Sequence, residues 1–269
     1  MNIDFSGLEK QGYVVIPNFL SVEEIDMFIT DKNSDLKSFR KSIPRVSKNI
    51  LEKIAPKILN VAKRIADNTS IKTNVISPWS AVYMNTFDYG ISWHQDQESW
   101  YVDQHHENYL NFYISIIKPD SCLSGLSVIP YDVIDNYFPE YKDKFLGKGA
   151  KTFETDNVST KVVDDDNGEE YSLPINIDNF AVSPELSQGD LLILRGDVIH
   201  RTQDVLTNRL SVTIRCLDGN HVVNKKKMLT GCKEKISTIT KNPEFYRTIV
   251  NAYGGKENIT VFELYKNLE

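Results

Sequence analysis

The fold of this chain is decided by residues 109–117, which read YLNFYISII. In a β-strand, Tyr109, Asn111, Tyr113 and Ser115 share one face, and the apolar residues between them share the other. We expect the apolar face to pack against helices and the polar face to look into a cavity. This alternation predicts a sheet with a covered outer surface and a polar interior.

Other short apolar runs, bounded by turn residues, predict more strands of the same kind. They are residues 13–16, 80–86, 191–194 and 209–216. In residues 80–86, Tyr83 and Asn85 share a face with Ala81, and we expect that more polar face to point inward. Many short strands with one polar inner face predict a mainly β protein with flanking helices, built as a double-stranded β-helix. This is the jelly-roll closure of cupin-like proteins.

Helices are expected on the outside of this sheet. Ser21 and Glu24 form a capping box that begins a helix reaching about Lys32. Further segments with helical spacing are residues 50–66, 243–252 and 261–268, the last two within a C-terminal extension at residues 221–269.

We interpret residues 1–269 as a single domain. Residues 131–180 interrupt the strand pattern, and we expect this insert to form a lid or wall over the cavity. Within it, Asn167-Gly168 predicts the turn of an exposed hairpin. The acidic run around that turn lacks the ligand spacing of an EF-hand loop, which argues against calcium.

The chemistry of the chain is indicated by His94, Asp96 and a distant His200. His94 and Asp96 are two residues apart, so a strand would point both to one side. Two imidazoles and one carboxylate can occupy one face of an Fe(II) octahedron and leave three positions open. His105 and Glu107 fit the bare His-x-Glu spacing too, but they lie in a polar loop and lack a partner pattern.

A cation and a hydroxyl follow the distant histidine, at Arg209 and Ser211. A guanidinium meets a carboxylate through two parallel hydrogen bonds, which suits the far carboxylate of a chelating cosubstrate. Arg215 falls on the same strand face, and we expect it to form a salt bridge at the rim of the barrel.

These motifs together resemble the Fe(II)/2-oxoglutarate dioxygenases. Residues 93–100, WHQDQESW, and the opening residues 12–21, GYVVIPNFLS, are similar to the phytanoyl-CoA dioxygenase superfamily and partly to its ectoine hydroxylase branch. The resemblance covers roughly residues 5–217. It implies Fe(II) held by His94, Asp96 and His200, with 2-oxoglutarate as cosubstrate and O2 as oxidant.

The resemblance further implies that an unactivated C–H bond is hydroxylated while 2-oxoglutarate becomes succinate and CO2. Related halogenases carry a small residue where this chain has Asp96, so oxygenation, desaturation or ring closure is favoured over halogenation. By the same resemblance, Thr202 assists cosubstrate binding. Tyr83 and Asn85 are weaker candidates for that pocket.

The substrate is expected to be a small polar molecule. Trp100, Asn111, Tyr113 and Arg195 are the candidate substrate contacts. The alternative interpretation is a non-catalytic, cupin-like metal- or ligand-binding protein, but such a protein has no need of the Arg209 cation.

Composition limits the partners. A net charge of −6 gives no sign of nucleic-acid binding. No apolar run approaches the roughly 18 residues of a membrane span, and the N-terminus lacks the pattern of a signal peptide. The three scattered cysteines form no disulfide framework, so we expect reduced thiols and a cytoplasmic location. The sequence predicts no oligomeric state.

Overall fold

The computed structural model describes residues 3–32, 44–85, 90–97, 106–123, 125–204, 206–230 and 233–268. The strands are β1 (Tyr13–Ile16), β2 (Val75–Ile76), β3 (Val82–Asn85), β4 (Leu110–Ile117), β5 (Leu126–Ile129), β6 (Lys151–Thr155), β7 (Thr160–Asp164), β8 (Glu170–Leu173), β9 (Leu191–Arg195), β10 (Ile199–Thr202), β11 (Leu210–Leu217), β12 (Val222–Asn224) and β13 (Asn258–Thr260).

The helices lie mostly at the two ends of the chain. They are α1 (Gly7–Lys10), α2 (Val22–Asp31), α3 (Lys48–Asn68), α4 (Tyr131–Tyr137), α5 (Lys142–Phe145), α6 (Lys225–Leu229), α7 (Lys233–Lys241), α8 (Pro243–Ala252) and α9 (Val261–Lys266), with 3-10 turns at Pro139–Tyr141 and Ile177–Phe180. The predicted capping box of Ser21 and Glu24 is present at the start of α2. No helix in the described ranges is long and apolar enough to cross a bilayer.

The larger of two facing sheets is antiparallel and runs in the order β1-β9-β4-β11-β2, with β3 also paired to β11. Its outer face is apolar. Leu110, Phe112, Ile114 and Ile116 of β4 are fully buried there in a core shared with α2 and α3. The inner face carries Asn111, Tyr113 and Ser115, as the alternation in residues 109–117 predicted.

The smaller sheet contains β10 paired with β5, and β6 paired with β7 and then β8. His94 joins the two parts, because it bridges Thr152 of β6 on one side and His200 of β10 on the other. Leu126, Val128 and Phe153 of this sheet pack with Tyr113 and Leu192 of the larger one. The two sheets therefore enclose a second core, and the predicted jelly roll with flanking helices is confirmed.

The 131–180 segment is more than a cover. It supplies β6, β7 and β8, and β6 is hydrogen-bonded to the segment that carries His94. The hairpin predicted at Asn167-Gly168 is formed by β7 and β8, and Gly168 has the positive φ of 76° that its turn requires.

The C-terminal extension forms a third apolar cluster. Residues of α8, α9 and β13 pack around Trp79 and Tyr109, which stand at one end of the larger sheet. The extension is therefore joined to the end of the jelly roll by apolar contact.

Candidate metal centre

The two histidines of the centre face each other across adjacent strands. His94 and His200 are directly paired, and each backbone N–H donates to the carbonyl of the other at 2.9 Å. In an antiparallel pair, residues that exchange both hydrogen bonds point to the same face. The two rings accordingly lie together, with their centroids 4.2 Å apart.

Asp96 completes the set from the same segment as His94. Its Oδ1 lies 3.9 Å from Nε2 of His94 and 4.0 Å from Nε2 of His200. All three ligand atoms lie within 4.8 Å of one another. Among the described residues, this is the group of three His, Cys, Asp or Glu side chains close enough to hold one metal ion. The second motif is not part of it: His105 lies outside the described residues.

Both imidazoles are oriented by a backbone carbonyl. Nδ1 of His94 is 2.8 Å from the oxygen of Ser92, and Nδ1 of His200 is 2.9 Å from the oxygen of Val198. A carbonyl can only accept, so each Nδ1 carries the proton and each Nε2 is left with its lone pair. Such contacts are typical of metal-ligating histidines, because they fix the tautomer and the ring orientation.

Electrostatics keep His94 and Asp96 in the protonation states that a cation needs. Burial, together with the neighbouring His200, lowers the pKa of His94 to about 4. Burial alone would raise the pKa of Asp96, but its interactions with His200, Arg215 and His94 and the hydrogen bond from Asn111 outweigh burial and hold that pKa below its usual value. The apo site therefore presents a neutral His94 and an ionised Asp96.

Gln95, between the two ligands, points the opposite way and is fully buried. Its Nε2 donates to the carbonyl of Phe145 at 2.9 Å and to that of Asp197 at 2.6 Å. The first acceptor ends α5, and the second lies in the turn between β9 and β10. Gln95 thus ties the His94–Asp96 segment both to the turn that leads into His200 and to the 131–180 segment.

The predicted cosubstrate residues lie on the inner face. Arg209 is buried, and its Nη1 donates to the carbonyl of Gly125. Ser211 follows on the same face, fully buried, with its hydroxyl 3.4 Å from the carbonyl of Met84. Thr202 is two residues from His200 on β10 and pairs with Leu126, next to Gly125. These residues are gathered at the end of the inner face that adjoins β5.

Three predicted site residues, Tyr83, Asn85 and Arg195, do not have the positions expected for them. Tyr83 points away from the interior, because its hydroxyl donates to Asp31 of α2 at 2.7 Å. Asn85 has the same strand parity and pairs with Leu210 of the outer core. Both residues therefore lie on the outer face of β3, and not on the inner face expected for them, because apolar residues occupy both faces of this strand and polarity did not identify the inner one.

Arg195 is also engaged away from the metal. Its Nε and Nη2 donate to the fully buried Asp197 at 3.0 and 2.8 Å, and its guanidinium lies over the ring of Tyr131. We assign it a structural role in place of the predicted substrate contact. Trp100 lies outside the described residues.

Arg215 lies on the inner face, as strand parity predicted. It pairs with Asn111, whose Nδ2 donates to Oδ2 of Asp96 at 3.4 Å. Its charge also acts on both Asp96 and His94. Asn111 and Tyr113 are on the inner face as predicted.

Sequence reasoning missed two side chains near these groups. Gln95 lies between the two predicted ligands, and the sequence assigned it no role. Its two hydrogen bonds to backbone carbonyls now indicate that it positions the segment. Lys118 follows β4, and its Nζ donates to the carbonyl of Leu123, close to Gly125 and hence to Arg209. Burial and the positive charge of Arg209 lower the pKa of Lys118 to about 8. No local pattern marked either residue, because both contacts depend on the fold.

Solved structures with a similar fold include enzymes described as dependent on 2-oxoglutarate or complexed with it. One is the epimerase SnoN from nogalamycin biosynthesis, a non-heme alpha ketoglutarate dependent enzyme. It has a TM-score of 0.52 and 12% identity, covering 80% of this chain and 82% of its own. Another is EvdO2 from Micromonospora carbonacea var. aurantiaca, complexed with 2-oxoglutarate, with a TM-score of 0.50 and 11% identity over 81% and 91%.

Identity at this level shows a common fold alone. By sequence, no known protein family and no curated protein matches the chain. The fold that the motif resemblance implied is thus the one found, while the activity has to be argued from the site itself.

Proposed function

We propose that this protein is an Fe(II)- and 2-oxoglutarate-dependent oxygenase that oxidises an unactivated C–H bond of a small polar metabolite. The observation that carries the proposal is the buried cluster of His94, Asp96 and His200, with both Nδ1 atoms held by carbonyls and both Nε2 atoms turned toward one carboxylate oxygen. This donor set with open positions is typical of non-heme Fe(II) oxygenases.

The residues present fit both iron and cosubstrate. Three ligands from one face leave room for a bidentate keto acid and O2. Arg209 and Ser211 lie on the same inner face and supply a cation and a hydroxyl for the distal carboxylate. Support also comes from SnoN, which has been solved with Fe3+, alpha ketoglutarate and nogalamycin RO at a TM-score of 0.50.

When bound, the iron with 2-oxoglutarate and O2 supplies an oxidant strong enough for aliphatic C–H bonds, and succinate and CO2 are released. The protein itself positions the metal ligands and excludes water from the site. β6 and Gln95 hold His94 and Asp96 in place, and the apolar core between the two sheets limits the access of water to them. Thr202 is close enough in the fold to assist the cosubstrate.

The carboxylate of Asp96 bears on the reaction type. It fills the position that halogenases leave free for chloride, so hydroxylation, desaturation or ring closure fits this chain better than halogenation. We favour hydroxylation of a small polar molecule, because Asn111 and Ser115 place hydrogen-bonding groups on the inner face that a long alkyl chain would leave unsatisfied.

The second candidate, a non-catalytic cupin-like binding protein, is opposed by the interior cation. A protein that only bound metal would gain nothing from burying Arg209 on the inner face. We also infer that the protein is active without nucleic acid or membrane, in the cytoplasm.

The test is aerobic turnover by purified, Fe(II)-loaded protein. We expect slow conversion of 2-oxoglutarate to succinate on its own, and faster conversion when a panel of polar metabolites includes the substrate, with a product heavier by one oxygen or lighter by two hydrogens. His94→Ala should abolish both. Failure of the wild-type protein to consume 2-oxoglutarate would support the binding-protein alternative. Faster turnover of a fatty acyl-CoA than of every polar metabolite would overturn the substrate class.

A further inference from the structure

The segment that carries His94 is held by a short stretch of backbone pairing. Residues 90–97 contain no regular strand, and His94 meets Thr152 of β6 and His200 of β10 through isolated bridges. A segment with few backbone hydrogen bonds opens more easily than one inside a long ladder. Side-chain contacts behind the segment therefore contribute more to the position of His94.

The neighbours of the two histidines face each other on the back of the sheet. Because His94 is opposite His200 in an antiparallel pair, the next residues, Trp93 and Arg201, are opposite each other as well. Successive residues of a strand point to opposite faces, so these two side chains lie on the face away from the imidazoles. The guanidinium carbon of Arg201 lies 4.5 Å from the centroid of the Trp93 ring.

Asp178 joins this pair from the 3-10 turn Ile177–Phe180, within residues 131–180. Its Oδ1 accepts a hydrogen bond from Nε1 of Trp93 at 2.9 Å and lies 2.6 Å from Nη1 of Arg201. Its Oδ2 accepts from the hydroxyl of Thr155 in β6 at 2.7 Å. One carboxylate thus connects the residue before His94, the residue after His200 and the strand on the other side of His94.

The charge of Asp178 is maintained by these contacts. Burial acts to raise its pKa, but the hydrogen bonds from Thr155 and Trp93 and the interactions with Arg201 outweigh burial and hold that pKa below its usual value. Hydrogen bonds to an ionised acceptor are stronger than those between neutral groups. The three contacts therefore form a firm connection at neutral pH.

We propose that Asp178 is a positioning residue of the metal centre, which sets the separation of His94 and His200 by holding Trp93 and Arg201 together behind them. The assignment rests on the proposed function. Ligands of a metal site have to be held to within about 0.5 Å of their working geometry, so the back of a two-strand site matters as much as its front. Asp178 itself lies on the far face from the metal.

Two variants test the connection. Asp178→Asn keeps the size of the side chain and removes its charge. Trp93→Phe removes only the N–H donor and keeps an aromatic face for Arg201. The matched control is Asp135→Asn, which breaks the ion pair between Asp135 of α4 and Lys142 of α5 in the same segment.

The probes are Fe(II) and Co(II), each added alone to the metal-free, full-length protein without oxygen. Fe(II) titration gives the affinity, and the visible absorption spectrum of bound Co(II) reports the coordination geometry. Thermal unfolding of the metal-free variants measures stability separately. A merely structural role would lower the unfolding temperature and leave the Co(II) spectrum unchanged.

We expect Asp178→Asn to weaken Fe(II) binding about three- to tenfold, which is less than for a group that contacts a ligand directly. The Co(II) spectrum of this variant should change. Trp93→Phe should have a smaller effect of the same kind, and Asp135→Asn should have none. Because Trp93 and Asp178 act through one contact, the double variant should lose less affinity than the sum of the single losses.

Three outcomes overturn the assignment. They are wild-type Fe(II) affinity with an unchanged Co(II) spectrum in Asp178→Asn, an equal effect of Asp135→Asn, and fully additive losses in the double variant. If Asp178→Asn does not fold, Trp93→Phe decides alone: an altered Co(II) spectrum supports the assignment, and an unaltered one refutes it. If the wild-type protein binds neither metal, the proposed function fails and takes this assignment with it, whereas failure of the variants alone leaves the proposed function intact.

Discussion

Single side chains set the state of the metal centre before any ion arrives. Ser92 and Val198 each accept the Nδ1 proton of one histidine, so the Nε2 atoms are preorganised as ligands. The burial that excludes water also makes a charged imidazole unfavourable at His94. The site is consequently adapted to bind a cation and to resist binding protons.

The first prediction concerns the protonation of His94. An ordinary imidazole titrates near 6.5, but we expect His94 in the metal-free folded protein to stay neutral, with the proton on Nδ1, down to about pH 4. Between those values the unfolded chain binds a proton that the folded protein does not. The contribution of His94 to stability is therefore complete above about pH 6.5 and is lost as the pH falls toward 4. Nitrogen-detected NMR titration measures this, and a His94 midpoint near 6.5 would refute it.

The second prediction concerns the cosubstrate. Arg209→Gln removes the guanidinium fork, so we expect the KM for 2-oxoglutarate to rise about ten- to a hundredfold. Ser211→Ala should raise it less. Steady-state kinetics with Arg247→Gln as the surface control separates this from a general charge effect. An Arg209→Gln enzyme with the wild-type KM would show that another cation anchors the cosubstrate.

The strands explain how ligands distant in sequence meet. His94 is held between β6 and β10, and the backbone of Asp96 donates to the carbonyl of Gly196 at 3.1 Å. Gln95, from the opposite face of the same segment, grips Asp197 and Phe145. The geometry of the metal centre thus depends on a fully buried amide that does not itself face the metal.

The third prediction tests the two hydrogen bonds of Gln95. Gln95→Met keeps the bulk but removes both donations to carbonyls, so we expect Fe(II) affinity to fall about tenfold to a hundredfold, as for other residues that orient metal ligands. Thr73→Val is the matched control, because it removes a buried side-chain-to-carbonyl bond remote from the centre. Anaerobic Fe(II) titration is read alongside unfolding of the metal-free proteins. If both variants lose equal stability and neither loses iron affinity, Gln95 has no positioning role.

Local sequence patterns predicted much of the strand orientation and of the metal centre. The alternation in residues 109–117 correctly oriented β4, and the two-residue spacing correctly put His94 and Asp96 on one side of a segment. At β3 the face expected to point inward points outward, because the hydroxyl of Tyr83 donates to Asp31 of α2. Strand parity correctly put Arg215 on the inner face, and its pairing with Asn111 places it toward the metal end of that face.

At the scale of the whole molecule, the jelly roll is completed by the segment that the sequence sets apart as an insert. In β6, the backbone N–H of Phe153 donates to the carbonyl of Trp93, and the carbonyl of Lys151 accepts from the backbone N–H of Gln95. The strands β6, β7 and β8 of residues 131–180 therefore belong to the sheet that carries the ligands. We therefore expect the metal centre to depend on this segment, which a removable lid would not explain.

The fourth prediction follows from that architecture. Val128 and Val182 are paired across the base of the segment, so a short Gly-Ser linker can replace residues 131–180 without stretching the chain. We expect the shortened protein to lose Fe(II) binding and cooperative thermal unfolding, because β6 and the core around Phe145 are gone. Circular dichroism and iron titration measure both. Retained iron binding, with only product formation lost, would show that the segment is a lid.

The measurement that tests the central claim most directly is an anaerobic crystal structure with Fe(II) and 2-oxoglutarate, with iron located by its anomalous signal. We predict one iron coordinated by Nε2 of His94, Nε2 of His200 and a carboxylate oxygen of Asp96, chelated by 2-oxoglutarate whose distal carboxylate meets Arg209 and Ser211. Iron bound elsewhere, or a cosubstrate with its distal carboxylate turned away from Arg209, would contradict the account.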